Sequence, residues 1–65
     1  MKTKGELLQM LFSKLAELQN LNKNEETNWK EEILIPRLRA EVALLYDILG
    51  EDVPEEYWEQ IEEVI

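Results

Sequence analysis

Carboxylates at the C-terminal end of the chain are the side chains with the clearest chemistry. The last 15 residues hold seven of the 15 Asp and Glu residues and no Lys or Arg, whereas residues 1–50 hold all seven bases against eight acids. The seven C-terminal acids are Glu51, Asp52, Glu55, Glu56, Glu59, Glu62 and Glu63. Clustered carboxylates create a negative potential that attracts basic side chains. The segment therefore indicates a contact surface for a positively charged partner.

Aromatic side chains accompany these acids, since Tyr57 and Trp58 lie between Glu55 and Glu59. Tyrosine and tryptophan are enriched among the residues that dominate binding energy at interfaces. The predicted partner-binding residues are Glu55, Tyr57, Trp58, Glu59 and Glu62. Two interpretations stay open: a solvated face that keeps the chain soluble, and a surface for the Lys and Arg side chains of a partner. Carboxylates along a helix can also imitate nucleic acid and occupy a DNA- or RNA-binding cleft.

Catalytic side chains are scarce. The chain has no His and no Cys, which removes the commonest general base, a thiol nucleophile and zinc sites of the usual kind. The hydroxyls of Thr3, Ser13 and Thr27 have no candidate base in the pattern. Glu31 and Glu32 offer oxygen ligands for magnesium, but the apolar faces described below leave no interior room for converging ligands. We expect no enzyme activity, no metal site and no cofactor.

The first helix that positions these residues is predicted from leucine periodicity. Thr3, with Glu6 three residues later, is a capping-box pattern that starts a helix. Leucines then recur three and four residues apart, which places them on one helix face. This first seam consists of Leu8, Leu11, Leu15 and Leu18. The pattern predicts a helix over about residues 4–21.

A second helix is predicted over about residues 28–49, from the cap-like pair Asn28 and Glu31 to Gly50, which suits a C-cap. Its seam consists of Ile35, Leu38, Val42, Leu45 and Leu49, and Leu34, Tyr46 and Ile48 are expected to widen it. Pro36 lies inside this stretch, where proline removes a hydrogen bond and clashes with the preceding turn. Two outcomes stay open: one helix that kinks near Pro36, or a helix that starts there.

A third helix is predicted over about residues 54–64. Asp52 is its expected cap, and Pro54 lies in the first turn, where a missing amide costs little. Tyr57, Ile61 and Val64 share one face. About twelve residues are too few for a stable isolated helix in water, so this helix must pack on its own hairpin or on a partner.

These elements predict an all-α, single domain over residues 1–65. Short connections make neighbouring helices antiparallel, so the first two helices form a hairpin. A chain this short buries too little surface to be very stable alone, and without Cys it has no disulfide. We therefore expect a homodimer in which the two seams build a four-helix bundle. A monomeric three-helix bundle is the alternative.

Cellular location and partner class follow from charge and hydropathy. The N-terminus lacks the apolar core of a signal peptide, and no stretch approaches the roughly 20 apolar residues of a membrane span. The net charge of −8 disfavours nucleic-acid backbones and anionic lipid. We expect a cytoplasmic regulatory or adaptor protein that binds a basic protein partner. The alternatives are a nucleic-acid-mimicking inhibitor and an RNA-binding helical-hairpin dimer.

Overall fold

The computed structural model describes residues 2–23 and 28–65 of the chain. Three α-helices follow one another in these residues: α1 (Lys4–Lys23), α2 (Trp29–Leu49) and α3 (Glu55–Val64). A 3-10 turn, Gly50–Asp52, joins α2 to α3. The described residues contain no strand, which confirms the predicted all-α class. Helix α1 continues two residues beyond the expected Leu21.

Short polar side chains begin the first two helices. The Thr3 hydroxyl accepts a hydrogen bond from the Glu6 amide at 3.2 Å. The Asn28 side chain accepts one from the Glu31 amide at 3.0 Å. Each cap satisfies an amide that has no partner within its own helix, as capping residues do. Both starts lie where the capping patterns of the sequence place them.

Gly50 ends α2 with a positive φ of 51° and donates its amide to the Tyr46 carbonyl. Glycine reaches this region without the steric penalty that a Cβ atom brings. The chain can therefore turn sharply from α2 into the segment that leads to α3. Val53, in that segment, is 1% exposed, so the turn also contributes to the core.

Helix α2 is a single element that passes through Pro36. Of the two predicted outcomes, the helix that starts at Pro36 is therefore not observed. Pro36 is itself exposed, whereas Leu38 and Val42 on the following turns are buried. The apolar periodicity of the inner face is thus maintained across the proline.

The core lies between α1, α2 and the segment that ends in α3, and α1 and α2 share the most extensive contact of the fold. Its buried side chains are Leu11, Leu15, Leu18, Leu38, Val42, Leu45, Leu49, Val53 and Ile61. The other two predicted seam residues, Leu8 and Ile35, are half-buried. Ile48 does not widen the seam as expected, because it is 59% exposed on the opposite side of α2.

Helix α3 covers the open side of the hairpin. Ile61 is fully buried and Val64 is half-buried against the core. The Arg39 guanidinium donates a hydrogen bond to the Val64 carbonyl at 3.1 Å. The side-chain amide of Gln19 donates one to the Gln60 side-chain oxygen, also at 3.1 Å. Helix α3 thus supplies the layer that a second hairpin was expected to supply, so most of the seam lies buried within one chain. A four-helix bundle built on these seams has little free seam to use.

Within residues 2–23 and 28–65, no helix combines the length and the apolar character that a bilayer span requires. The most apolar long helix, α2, carries several charged side chains, among them Glu32, Arg37 and Asp47.

Candidate protein-binding surface

Helix α3 separates its apolar and acidic side chains cleanly. At 100° per residue, Tyr57, Ile61 and Val64 fall on one side of the helix and the glutamates on the other. All five glutamates of α3 are exposed. We call these residues the acidic face: Glu55, Glu56, Glu59, Glu62 and Glu63. The predicted binding residues Glu55, Glu59 and Glu62 thus lie together on one solvent-facing surface.

The acidic face is largely uncompensated by charge. Among the described residues, ion pairs join Lys4 to Asp52 at 3.4 Å, and Lys14 and Arg37 to Glu41. None of these described pairs includes a glutamate of the acidic face. The Tyr46 hydroxyl donates to a Glu62 carboxylate oxygen at 3.5 Å.

Two titratable groups on α2 have pKa values that their surroundings shift. The pKa of Glu41 is held below its ordinary value of 4.5, chiefly by the hydrogen bond from Lys14 and against some desolvation. Burial raises the pKa of the Tyr46 hydroxyl, and the nearby Glu62 carboxylate raises it further. Both effects follow the usual rules, in which an opposite charge stabilises an ionised group and desolvation or a like charge opposes ionisation.

Tyr57 anchors α3 to α1. Its ring lies 4.6 Å from the Phe12 ring between centroids, tilted by 33°, within the range of favourable aromatic pairs. Tyr57 is half-buried by this contact. The sequence predicts that Tyr57 contacts a partner. In this structure part of its side chain is buried against the hairpin. The contact packs α3 against α1, and partner binding by Tyr57 stays a prediction.

Trp58 is also half-buried, and its position is fixed by a hydrogen bond. The indole Nε1–H donates to the Val53 carbonyl at 2.7 Å. The ring forms one wall of an open groove of about 420 Å³ between α2 and the turn before α3. The other lining residues are Ala43, Tyr46, Asp47, Gly50 and Glu51.

The groove has the chemistry of a site for a long basic side chain. Trp58 offers an aromatic face, while Asp47 and Glu51 bring carboxylates to the rim. Lys and Arg lay their aliphatic stems on apolar surface and keep the charged head near water or carboxylate. A cation over an indole face adds a favourable electrostatic contact. Sequence reasoning missed this groove, although Asp47 in the last turn of α2 and Glu51 in the following 3-10 turn are four residues apart.

The side chains considered for catalysis are dispersed. Thr3 caps α1, Ser13 is exposed on α1, and Thr27 lies outside the described residues. Across residues 2–23 and 28–65, no three carboxylates come close enough together to hold a metal ion. Glu31 is half-buried and Glu32 exposed, on different sides of α2.

The chain matches no protein-family model, and no curated protein and no solved structure is significantly similar to it. Its function has to be argued from the chemistry of its surface.

Proposed function

We propose that this chain is a small non-enzymatic regulatory protein that binds a basic protein partner through the acidic face of α3 and the groove beside Trp58. One observation carries the proposal. Five exposed glutamates lie on a helix whose other side is packed onto the core, and no described ion pair involves them.

The charge arrangement on α3 is unfavourable for the free protein. Glu55, Glu59 and Glu63 repeat at four-residue spacing, and each such like-charge pair opposes the helix by a few tenths of a kcal/mol. Glu62 and Glu63 also lie at the C-terminal end, where the helix dipole disfavours anions. Lys and Arg side chains of a partner would relieve both effects at once.

The surface is also held in position before a partner arrives. Tyr57 packs on Phe12, and Trp58 donates to the Val53 carbonyl. A surface that is already ordered loses less conformational entropy on binding. The partner would therefore meet a fixed row of carboxylates beside a groove that accepts a basic side chain.

Imitation of nucleic acid is the second candidate, and the same row of carboxylates favours it. Successive turns of α3 present carboxylates about 5.4 Å apart along the helix axis. A cleft that binds phosphates through Lys and Arg would meet a similar line of negative charge. On this interpretation the partner is itself a DNA- or RNA-binding protein.

Direct RNA binding by a hairpin dimer has less support. Lys4, Lys14 and Arg37 take part in ion pairs with acids of the chain. Phosphate contacts by Lys and Arg supply most nucleic-acid affinity. With a net charge of −8, few bases are left to supply them.

The test compares two variants of equal net charge. Glu55→Gln, Glu59→Gln and Glu62→Gln together remove three of the five charges of the acidic face, whereas the control carries three Glu→Gln changes elsewhere. The control positions are the exposed residues Glu6, Glu17 and Glu32. The probe is a polyarginine peptide of about ten residues, titrated calorimetrically at low and moderate salt. We expect the acidic-face variant to bind about tenfold more weakly, and the control less than about threefold.

Equal weakening in the two variants would contradict the proposal, because the peptide would then sense only net charge. The partner itself is sought by capture from native cell extract with the same variants as baits. A partner that nucleic acid displaces would support imitation, and one that it leaves bound would support plain docking. RNA retained by the purified protein at moderate salt would overturn both.

A further inference from the structure

Helix α2 carries an apolar surface on the side that faces away from the core. Four large apolar side chains are well exposed there: Trp29 at 67%, Ile33 at 64%, Leu44 at 60% and Ile48 at 59%. Pro36 and Ala40, also exposed, lie between them. We call these residues the outer stripe: Trp29, Ile33, Pro36, Ala40, Leu44 and Ile48. Their spacing of three or four residues places them along one helix face.

Among the described residues, no member of the outer stripe belongs to the core or to the apolar side chains packed against it. The buried side chains Leu38, Val42 and Leu45 lie on the opposite side of α2 and complete the core. A helix with apolar residues on both sides is usually covered by other elements on both sides. The exposed apolar area of the stripe is on the order of 500 Å², which equals the largest apolar patch of a typical monomer, and such a patch is often functional.

We propose that a second copy of this chain covers the outer stripe, with the two α2 helices antiparallel and crossing at Ala40. Ala40 lies midway along the stripe and is its smallest residue, so two helices can approach closely there. A twofold axis at Ala40 sets Ile33 of one copy level with Asp47 and next to Ile48 of the other. Pro36 then lies opposite Leu44 of the second copy. The contact is thus self-complementary, as twofold interfaces are.

Charge along α2 selects the antiparallel orientation. The N-terminal half of the stripe is bordered by Lys30, Arg37 and the acid Glu32, and the C-terminal end by Asp47 and Glu51. In the N-terminal half Lys30 offsets Glu32 and Arg37 pairs with Glu41, so an antiparallel pair brings the less acidic half of one helix beside the acidic end of the other. A parallel pair would set acid beside acid, and would also align the two helix dipoles unfavourably.

The area of the stripe sets the expected strength. Two copies together bury about 1,000 Å², which is the lower limit for a specific protein interface. We therefore expect a dimer that forms in the micromolar range. The interface uses neither the core seam nor the acidic face, but Asp47 and Glu51 at its edge also line the groove beside Trp58. The dimer needs no basic partner, so either proposal can fail alone.

The first test is sedimentation equilibrium between about 10 µM and 1 mM protein, a range that brackets a weak dimer. Ile33→Lys with Leu44→Lys places four charges in the interface, and we expect association to fall at least about 100-fold. The control is Ser13→Lys with Ala16→Lys on the exposed side of α1. Far-UV circular dichroism at low concentration checks that both variants keep the helical fold.

A single species of 7.7 kDa at the highest concentration would overturn the proposal. A dimer that the stripe variant leaves unchanged would overturn it too, because another surface would then mediate the association.

The second test determines the register and the orientation of the two α2 helices in the dimer. The chain has no Cys, so a single introduced one reports one contact. Ala40→Cys at the twofold axis should oxidise to a disulfide dimer at least about tenfold faster than Ala16→Cys on α1. Ile33→Cys should pair with Ile48→Cys when the two variants are mixed, but not with itself. Rapid self-pairing of both Ile33→Cys and Ile48→Cys would reveal a parallel dimer and contradict the proposed arrangement.

Discussion

Helices α2 and α3 distribute the same kinds of residue in opposite ways. Helix α3 sets Tyr57, Ile61 and Val64 on one side and five glutamates on the other, so its sequence alone shows which side faces the core. Helix α2 is apolar on both sides, with Val42 buried and Leu44 exposed two residues away. The acidic side of α3 is the surface that we propose for a charged partner. An apolar helix with two usable sides indicates a second layer of packing.

The largest expected difference in unfolding free energy is between alanine substitutions of two adjacent leucines of α2. Leu45→Ala removes a side chain that is 7% exposed, and we expect a loss of about 2–5 kcal/mol in unfolding free energy. Leu44→Ala, at 60% exposure, should change it by less than about 0.5 kcal/mol in the monomer. Urea denaturation at low protein concentration measures both. Equal losses would show that the two sides of α2 had been assigned wrongly.

The next effect concerns the two tryptophans. Trp58→Phe keeps a ring in the groove wall but deletes the 2.7 Å hydrogen bond to the Val53 carbonyl, at a cost of about 1 kcal/mol. Trp29→Phe is the matched change on the outer stripe, where the side chain is 67% exposed. It should be neutral in the monomer. A neutral Trp58→Phe would mean that the hydrogen bond does not anchor α3.

A paired carboxylate should give a distinct pH dependence. Because the folded pKa of Glu41 lies below its ordinary value of 4.5, its contribution to stability is present above that pH and is lost as the pH falls through the folded pKa. Glu41→Gln should therefore flatten the acid side of the stability curve. Glu17→Gln on α1 is the control. Identical acid limbs for Glu41→Gln and the wild type would contradict the ion pair with Lys14.

The smallest effect should come from the end of α3. Glu62→Gln with Glu63→Gln reduces like charge near the negative end of the helix dipole, and should raise stability by a few tenths of a kcal/mol. Thermal denaturation monitored by circular dichroism is the measurement. A decrease in the melting temperature would mean that these carboxylates hold the helix in place.

Much of the fold could be predicted because the decisive signals are local. Leucine spacing predicted α1, the Asn28 and Glu31 pair predicted the start of α2, and Gly50 predicted its end. The exposed glutamates of α3 were predicted in the same way, since helical periodicity alone separates them from Ile61.

Other features could not be predicted because they depend on which elements meet. Ile48 was expected beside the core but is exposed. Because α2 has apolar residues on both sides, its sequence pattern does not show which apolar residues face the core and which face solvent. The bond from Trp58 to Val53 and the pairing of Tyr57 with Phe12 depend on how α3 crosses the hairpin. The position of α3 against the hairpin matches the three-helix bundle that the sequence left as the alternative, while the four-helix bundle of two hairpins stays a prediction.

A nitrogen-15 NMR titration with the polyarginine peptide would map the binding surface residue by residue, because each backbone amide reports its own surroundings. We expect the largest chemical-shift changes on residues 51–63 and on the groove residues Ala43 and Asp47. The outer stripe should respond to protein concentration and hardly to the peptide. Shift changes spread evenly along the chain, or centred on α1, would show that the acidic face and the groove do not bind the peptide.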